Sequence, residues 1–416
     1  MATIDRRTFL TQTVGGVAAS TALGALAGRA VAAPAQKYSV AIVGCGRMGQ
    51  QYAEIYNALP DTEVVAIAEW NDERRGVVGK RFGVAALYKE ASALFKDVVP
   101  DIAIVATPTK FMRDAIVMAA EAGVKGVQVE RPMAARLSDA DAMVEACKTR
   151  GVKFGGGGIE RSKWEVELTG RWLQEGKFGK IVGAVVRHYR SPIGCQACRT
   201  SVLRHFTGAE VEEVIAWGSP VEALRTEVTD SPLLINGIFQ LSNGIQCPVF
   251  GSEGAKVEVE EGLPGVEVWT DEDVLVRWNR HGGPPFLYKG KMASGARKPL
   301  DPQFPPHPYA EELKLLAPLL DRIHNVGTER DYLLAPCWAL VDAIRNGTDP
   351  WISGNDLRRA LEIAIACKIS AQLGNAPVKL PLQDRSHTFY PKPYRWVGGD
   401  DAGRPQSTKE AAGPKC

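Results

Sequence analysis

From Ala35 to about Phe154 the apolar positions fall into short unbroken runs, each followed by a segment in which they return every three or four places. Runs of that kind, rich in Val and Ile, predict parallel strands covered on both faces, and the spaced segments predict helices packed on them. Strands are expected through the apolar run that begins at Lys37 and breaks at Gly44, and through Val64–Ala68, Asp101–Ala106 and Val127–Glu130. Helical spacing runs through Tyr52, Ile55, Tyr56 and Leu59, then over Asp72–Phe82, Asp114–Glu121 and a segment capped by Ser138, with Gly83, Gly123 and Gly151 as stops. Strand alternating with helix predicts a doubly wound α/β sheet of the Rossmann kind. The four glycines at 155–158 read as a hinge after it.

Past the hinge the period changes. A helix over Trp164–Gln174 is followed by near-alternating segments at Ile181–Arg187, Leu233–Leu241, Gln246–Phe250, Ala255–Glu260, Val266–Trp269 and Val274–Trp278. Period two predicts an antiparallel sheet with one covered face. Residues 282–308, dense in Pro and Gly, read as a long loop. Leu357, Leu361, Ile365, Ile369 and Leu373 form the stripe of a last helix stopped by Gly374, and the polar tail beyond Asp384 is expected along the surface. The fold class is therefore α/β, with a parallel N-terminal sheet and an α+β C-terminal domain. The expected division is a leader over 1–33, a nucleotide-binding domain over 34–155, a substrate and oligomerisation domain over 156–385 and a tail over 386–416.

The leader changes the picture. Asp5-Arg6-Arg7-Thr8-Phe9-Leu10 resembles a twin-arginine export signal, followed by a Gly- and Ala-rich apolar stretch and then Ala30-Val31-Ala32-Ala33. The apolar stretch is too short and too broken by glycine to span a membrane stably. The expected partner is the twin-arginine machinery and the expected location periplasmic or otherwise exported, where a redox cofactor would have to stay bound. A net charge of +2, with 24% charged and 45% hydrophobic residues, gives no reason to expect a nucleic-acid partner.

Chemistry enters where the first strand breaks into Gly44-Cys45-Gly46-Arg47-Met48-Gly49. The first glycine of such a motif permits the tight turn, the second lets a diphosphate approach, and the third lets helix and strand pack closely. The phosphates would lie on the free N–H groups of the next helix. Glu69, twenty residues past Gly49, ends the second strand and is placed to accept from a ribose diol, which favours NAD with NADP as the alternative. Thr107 and Pro108 break the Asp101–Ala106 strand on the same edge.

Four segments, Val43–Gly49, Val105–Pro108, Val129-Glu130-Arg131-Pro132 and Ala360–Ala364 followed by Val378-Lys379-Leu380-Pro381, resemble the Gfo/Idh/MocA family, named for glucose–fructose oxidoreductase and inositol dehydrogenase. The resemblance implies a Rossmann domain, a second domain on an open, mostly antiparallel sheet, a cleft between them for a sugar, polyol or related alcohol, and homo-oligomers. Its implied cofactor residues are Gly44, Cys45, Gly46, Arg47, Met48, Gly49, Glu69, Thr107, Pro108 and Glu130. The family commonly has Glu-Lys-Pro where this chain has Glu130-Arg131-Pro132, and its usual Asp and His fall on Gly194 and Cys198. Arg131 retains the charge but, with a pKa above about 12, not the proton exchange.

His188 is the residue nearest at hand for acid–base work, with Tyr189 and Arg131 orienting the substrate. A packed or solvent-facing His188 is the plain alternative, and His205 reads as structural. Cys195 and Cys198 are open to three readings: disulfide, free thiols, or a metal site with His188 and His205 whose spacing is unlike known zinc modules. The other six cysteines read as packing residues, and no metal is assigned. The function expected is an NAD-dependent oxidoreductase with tightly held cofactor. The alternatives are a glycoside hydrolase or lyase working through transient oxidation, and a non-catalytic binding protein.

Overall fold

The strand-and-helix alternation is realised from the first described residue onward. A computed structural model describes residues 37–157, 160–187, 193–226, 234–251, 264–279, 284–291, 297–323 and 331–389. The first half runs β1 (Tyr38–Val43), α1 (Arg47–Ala58), β2 (Thr62–Ala68), α2 (Asp72–Phe82), β3 (Ala86–Tyr88), α3 (Ala91–Asp97), β4 (Ile102–Val105), α4 (Thr109–Ala122), β5 (Gly126–Val129), α5 (Leu137–Thr149) and β6 (Lys153–Gly156). These strands make one parallel sheet in the order β3-β2-β1-β4-β5-β6. Both faces are covered, as the unbroken apolar runs require. Val40 and Ile42 face one buried cluster, and Ala41 and Val43 face the other. Strand order reverses between β1 and β4, which opens a crevice at their carboxyl ends.

The second half runs α6 (Trp164–Gln174), β7 (Ile181–Arg187), α7 (Ile193–Thr207), β8 (Val211–Ser219), α8 (Val221–Thr226), β9 (Leu234–Leu241), β10 (Gln246–Phe250), β11 (Pro264–Thr270), β12 (Val274–Asn279), β13 (Phe286–Lys289), β14 (Lys298–Leu300), α9 (Ala310–Ile323), α10 (Asp331–Asn346), α11 (Gly354–Gln372) and β15 (Val378–Lys379). Its nine strands lie in the order β14-β13-β12-β11-β7-β10-β9-β8-β15, antiparallel except for β10 on β7. Ala184, Val186, Val266, Val268, Val249 and Phe239 turn one face into the core, against α7 and α11. The opposite face leaves Ile238, Phe250 and Trp269 well exposed. α9 and α10 return to the first sheet: Tyr309, Leu316, Leu320, Leu333, Leu334 and Leu340 share a buried cluster with Tyr52, Ile55 and Tyr56 of α1.

Four readings change. Ser138 lies inside α5, whose cap is Arg136 without a side-chain bond. The glycines at 155 and 156 form the end of β6 rather than a free hinge. A Cβ on Gly156 would come 2.7 Å from Leu357 Cδ1, so the glycine is there for close packing. The 282–308 loop contains β13 and β14, which extend the sheet edge. Phe389, in the tail, is fully buried, and its N–H donates to the Ala135 carbonyl. The Ala255–Glu260 strand lies outside the described residues. No helix among the described residues is long and apolar enough to cross a membrane.

Candidate active site

At the β1–α1 turn Gly44 adopts φ +88°, and a Cβ there would stand 2.9 Å from the Ala106 carbonyl oxygen and 3.0 Å from Thr107 Cγ2. A Cβ on Gly49 would fall 1.9 Å from the Gly44 carbonyl oxygen, so the helix can start this close to the strand only with glycine. Gly46 caps α1 without a side-chain bond, the first turn holds no acid, and Arg47 there is exposed. The first N–H groups of a helix with no side-chain cap and no acid nearby suit a phosphate. Met48 is half-buried against the apolar cluster around α1. Cys45 is fully buried, and burial, then the Glu69 carboxylate, push its thiol well above the ordinary value, which removes it from nucleophilic chemistry.

Glu69 closes the other side of the turn. Its Oε2 accepts the Cys45 N–H at 2.8 Å, and its Oε1 accepts from the Asn71 N–H at 2.9 Å and Arg74 Nη2 at 3.0 Å. Glu69 and Arg74 make an ion pair with both side chains buried. A carboxylate has about four acceptor sites, and these donors take three, leaving Oε2 able to accept one ligand hydroxyl. Sequence reading missed Arg74; an Arg five places beyond the acid, in the first turn of α2, was the available signal. The paired guanidinium also reduces the negative charge on which exclusion of a 2′-phosphate rests.

On the far side of the strand reversal, Thr107 follows β4 with its Oγ1 buried and no hydrogen-bond partner, and Pro108 caps α4. An orphaned buried hydroxyl beside a glycine cradle fits a dinucleotide lying across this edge. Glu130, just past β5, is half-buried. Tyr52, fully buried in α1, donates its hydroxyl to Glu130 Oε1, and the Arg131 N–H donates to Oε2 at 3.3 Å. Burial raises the Glu130 carboxyl above its ordinary value, opposed by the Arg131 guanidinium, the Tyr52 hydroxyl and Arg47. Behind it the Tyr56 hydroxyl donates to Gln128 Oε1 at 2.8 Å.

The structure thus brings Gly44, Cys45, Gly46, Arg47, Met48, Gly49, Glu69, Thr107, Pro108, Glu130 and Arg131 to one row of strand ends. His188 and Tyr189 lie outside the described residues, as do the side chains of Cys195 and Cys198 in α7. His205, on the same helix, is a structural histidine: its Nε2–H donates to the Glu167 carbonyl at 2.9 Å, because a carbonyl can only accept. Cys147, Cys247, Cys337 and Cys367 are buried free thiols; burial raises the first three to about 12.

Comparison with known proteins agrees with this geometry. Residues 38–157 match the Gfo/Idh/MocA model, described as an oxidoreductase family with an NAD-binding Rossmann fold. The chain is 25% identical over 371 residues to D-apiose dehydrogenase of Paraburkholderia graminis, covering 82% of this chain and 89% of that protein. Among solved structures it resembles levoglucosan dehydrogenase in complex with NADH and levoglucosan (TM-score 0.62, 18% identity, 83% of this chain and 100% of that one). It also resembles the aldose–aldose oxidoreductase of Caulobacter crescentus with glycerol (TM-score 0.59, 19% identity, 83% and 100%). Residues 38–157 thus match the NAD-binding Rossmann domain of the Gfo/Idh/MocA oxidoreductases, and the similarity to D-apiose dehydrogenase runs over 82% of the chain.

Proposed function

We propose that this oxidoreductase oxidises a sugar, polyol or related small alcohol, and reduces the matching carbonyl in reverse. The observation that carries the reading is the placement, on one row of strand ends, of a glycine cradle and Glu69 on one side of the reversal and Glu130 with Arg131 on the other. The first pair suits the adenosine and diphosphate half of a dinucleotide, and the second lies on the side left for its nicotinamide. The substrate class is supported by relatives named for D-apiose and levoglucosan.

When bound, NAD supplies the acceptor for a hydride. The N-terminus of α1 would hold the diphosphate, Glu69 would take a ribose hydroxyl, and the ligand would satisfy the Thr107 hydroxyl. Arg131, permanently charged, holds the substrate oxygen, with Tyr189 as a second orienting group. The direct test is to incubate the purified protein with NAD and a panel of aldoses, cyclitols and anhydrosugars and follow NADH absorbance. Reduction of at least the bound nucleotide by one class is the expected result. Nucleotide that binds but is reduced by none of them would leave a binding protein.

We further propose that residues 1–33 direct twin-arginine export, on the strength of Arg6-Arg7 followed by a weakly apolar stretch and Ala30–Ala33. In a bacterial host, replacing both arginines by lysine should retain the protein in the cytoplasm uncleaved. Unchanged recovery from the periplasm would refute the signal.

A further inference from the structure

We propose that Glu130, and not its neighbour Arg131, takes the proton in this reaction, with Tyr52 as the residue that holds it in place. The inference rests on the oxidoreductase reading above. Oxidation of an alcohol needs a group that accepts the hydroxyl proton as the hydride leaves, and a guanidinium with a pKa above about 12 cannot do so. Among the described residues just beyond the ends of β4 and β5, Glu130 has the required chemistry. It is half-buried, so it borders the crevice without being dissolved in water.

Its setting is built. Tyr52 is fully buried and reaches Oε1 from α1. Gly157 makes room for this contact: a Cβ there would stand 2.4 Å from the Tyr52 hydroxyl and 2.5 Å from Gln128 Nε2. With one donor on each oxygen, the carboxylate is fixed in orientation yet keeps an acceptor site on Oε2. The groups that bear on it are Arg131 on its own segment, Arg47 and Tyr52 on α1, and Cys337 on α10. Burial shifts the carboxyl upward, opposed by the Arg131 and Arg47 guanidinium groups and the Tyr52 hydroxyl, in the direction that favours proton exchange by a carboxylate.

The step balances as follows. The substrate's carbon-bound hydrogen leaves with its electron pair to the bound nucleotide. The O–H electrons become the second bond of the carbonyl, and the hydroxyl proton passes to Glu130 Oε2. Arg131 stabilises the negative charge that builds on the oxygen. After product leaves, Glu130 returns the proton to solvent through the crevice.

The test compares wild type, Glu130→Gln, Tyr52→Phe and His188→Ala, the last removing the rival base. At saturating NAD, single-turnover oxidation by Glu130→Gln should fall about 10²–10⁴-fold. The variant should also lose the acid limb of the pH–rate profile. Tyr52→Phe removes a bond to the charged form, so the acid limb should move to higher pH. In infrared titration of the NAD complex, wild type should show a protonated-carboxyl band that Glu130→Gln lacks. An active wild type with Glu130→Gln unaltered in rate and profile overturns the proton role alone. So does an acid limb that vanishes in His188→Ala and persists in Glu130→Gln. Wild type that binds NAD but reduces none overturns the oxidoreductase reading and the proton role with it.

Discussion

At the scale of single residues, charge is handled in pairs. Glu69 faces Arg74, Glu267 faces Arg187 and Arg277, and Glu167 faces Arg161 and Arg171, each carboxylate itself largely enclosed. Burying a lone carboxylate would be costly, so the partners are part of the fold. His205 belongs to the last of these clusters, beside a cavity of about 250 Å³ lined also by Arg204, Glu210 and Asp356. Burial, and then Arg161, push its imidazole from 6.5 down to about 4, against the pull of Glu167.

The unfolded chain therefore takes up a proton at this position between pH 6.5 and about 4, and the folded chain does not. Stability present above pH 6.5 should fall as pH drops through that window, by at most about 3 kcal/mol at 1.36 kcal/mol per pH unit. His205→Gln keeps a donor for the Glu167 carbonyl and removes the titration. Its Tm should fall less than that of wild type between pH 7 and pH 4, and parallel profiles would show that His205 contributes nothing to the slope.

What was legible at this scale followed from spacing. The glycines, Glu69 and Thr107 follow short-range rules about turns and strand ends, whereas Glu130 takes its role from the family resemblance. Arg74 and Tyr52 were not legible, because their roles depend on which side chains two elements bring together. The spacing places Tyr52 on a helix with Ile55, Tyr56 and Leu59, but nothing in it says that the hydroxyl ends at Glu130.

At the scale of elements, local pattern served well wherever local forces decide. α2 spans Asp72–Phe82 as the periodicity predicts, with the Asn71 side chain accepting from Arg74 N and Gly83 at φ +68° as its stop. α11 has a full capping box between Ser353 and Asp356. The glycines at 155–158 misled, because a hinge and a tightly packed strand end both ask for residues without a side chain. Packing of Leu357, Ile352, Tyr52 and Gln128 around Gly156 and Gly157 decides it here. β13 and β14 were lost for a similar reason: Pro and Gly around them mark an edge, where ladder bonds can be omitted.

At the scale of the whole molecule, the two sheets have opposite requirements. The parallel one is covered on both faces and offers only its strand ends, whereas the antiparallel one leaves a face with exposed Ile238, Phe250 and Trp269. The class of each sheet could be read from period, since a covered strand is apolar throughout and a half-covered one alternates. The return of α9 and α10 onto α1 could not, because it joins segments more than two hundred residues apart and no local signal records it.

The central claim, that the β1–β4 crevice holds a dinucleotide, is tested most directly by calorimetric titration of the purified protein with NAD after any co-purified nucleotide has been removed. The account predicts saturable binding of one NAD per chain, lost in Gly49→Val, whose Cβ would meet the Gly44 carbonyl oxygen at 1.9 Å. Wild-type protein that is folded and gives no binding heat with either NAD or NADP would contradict it.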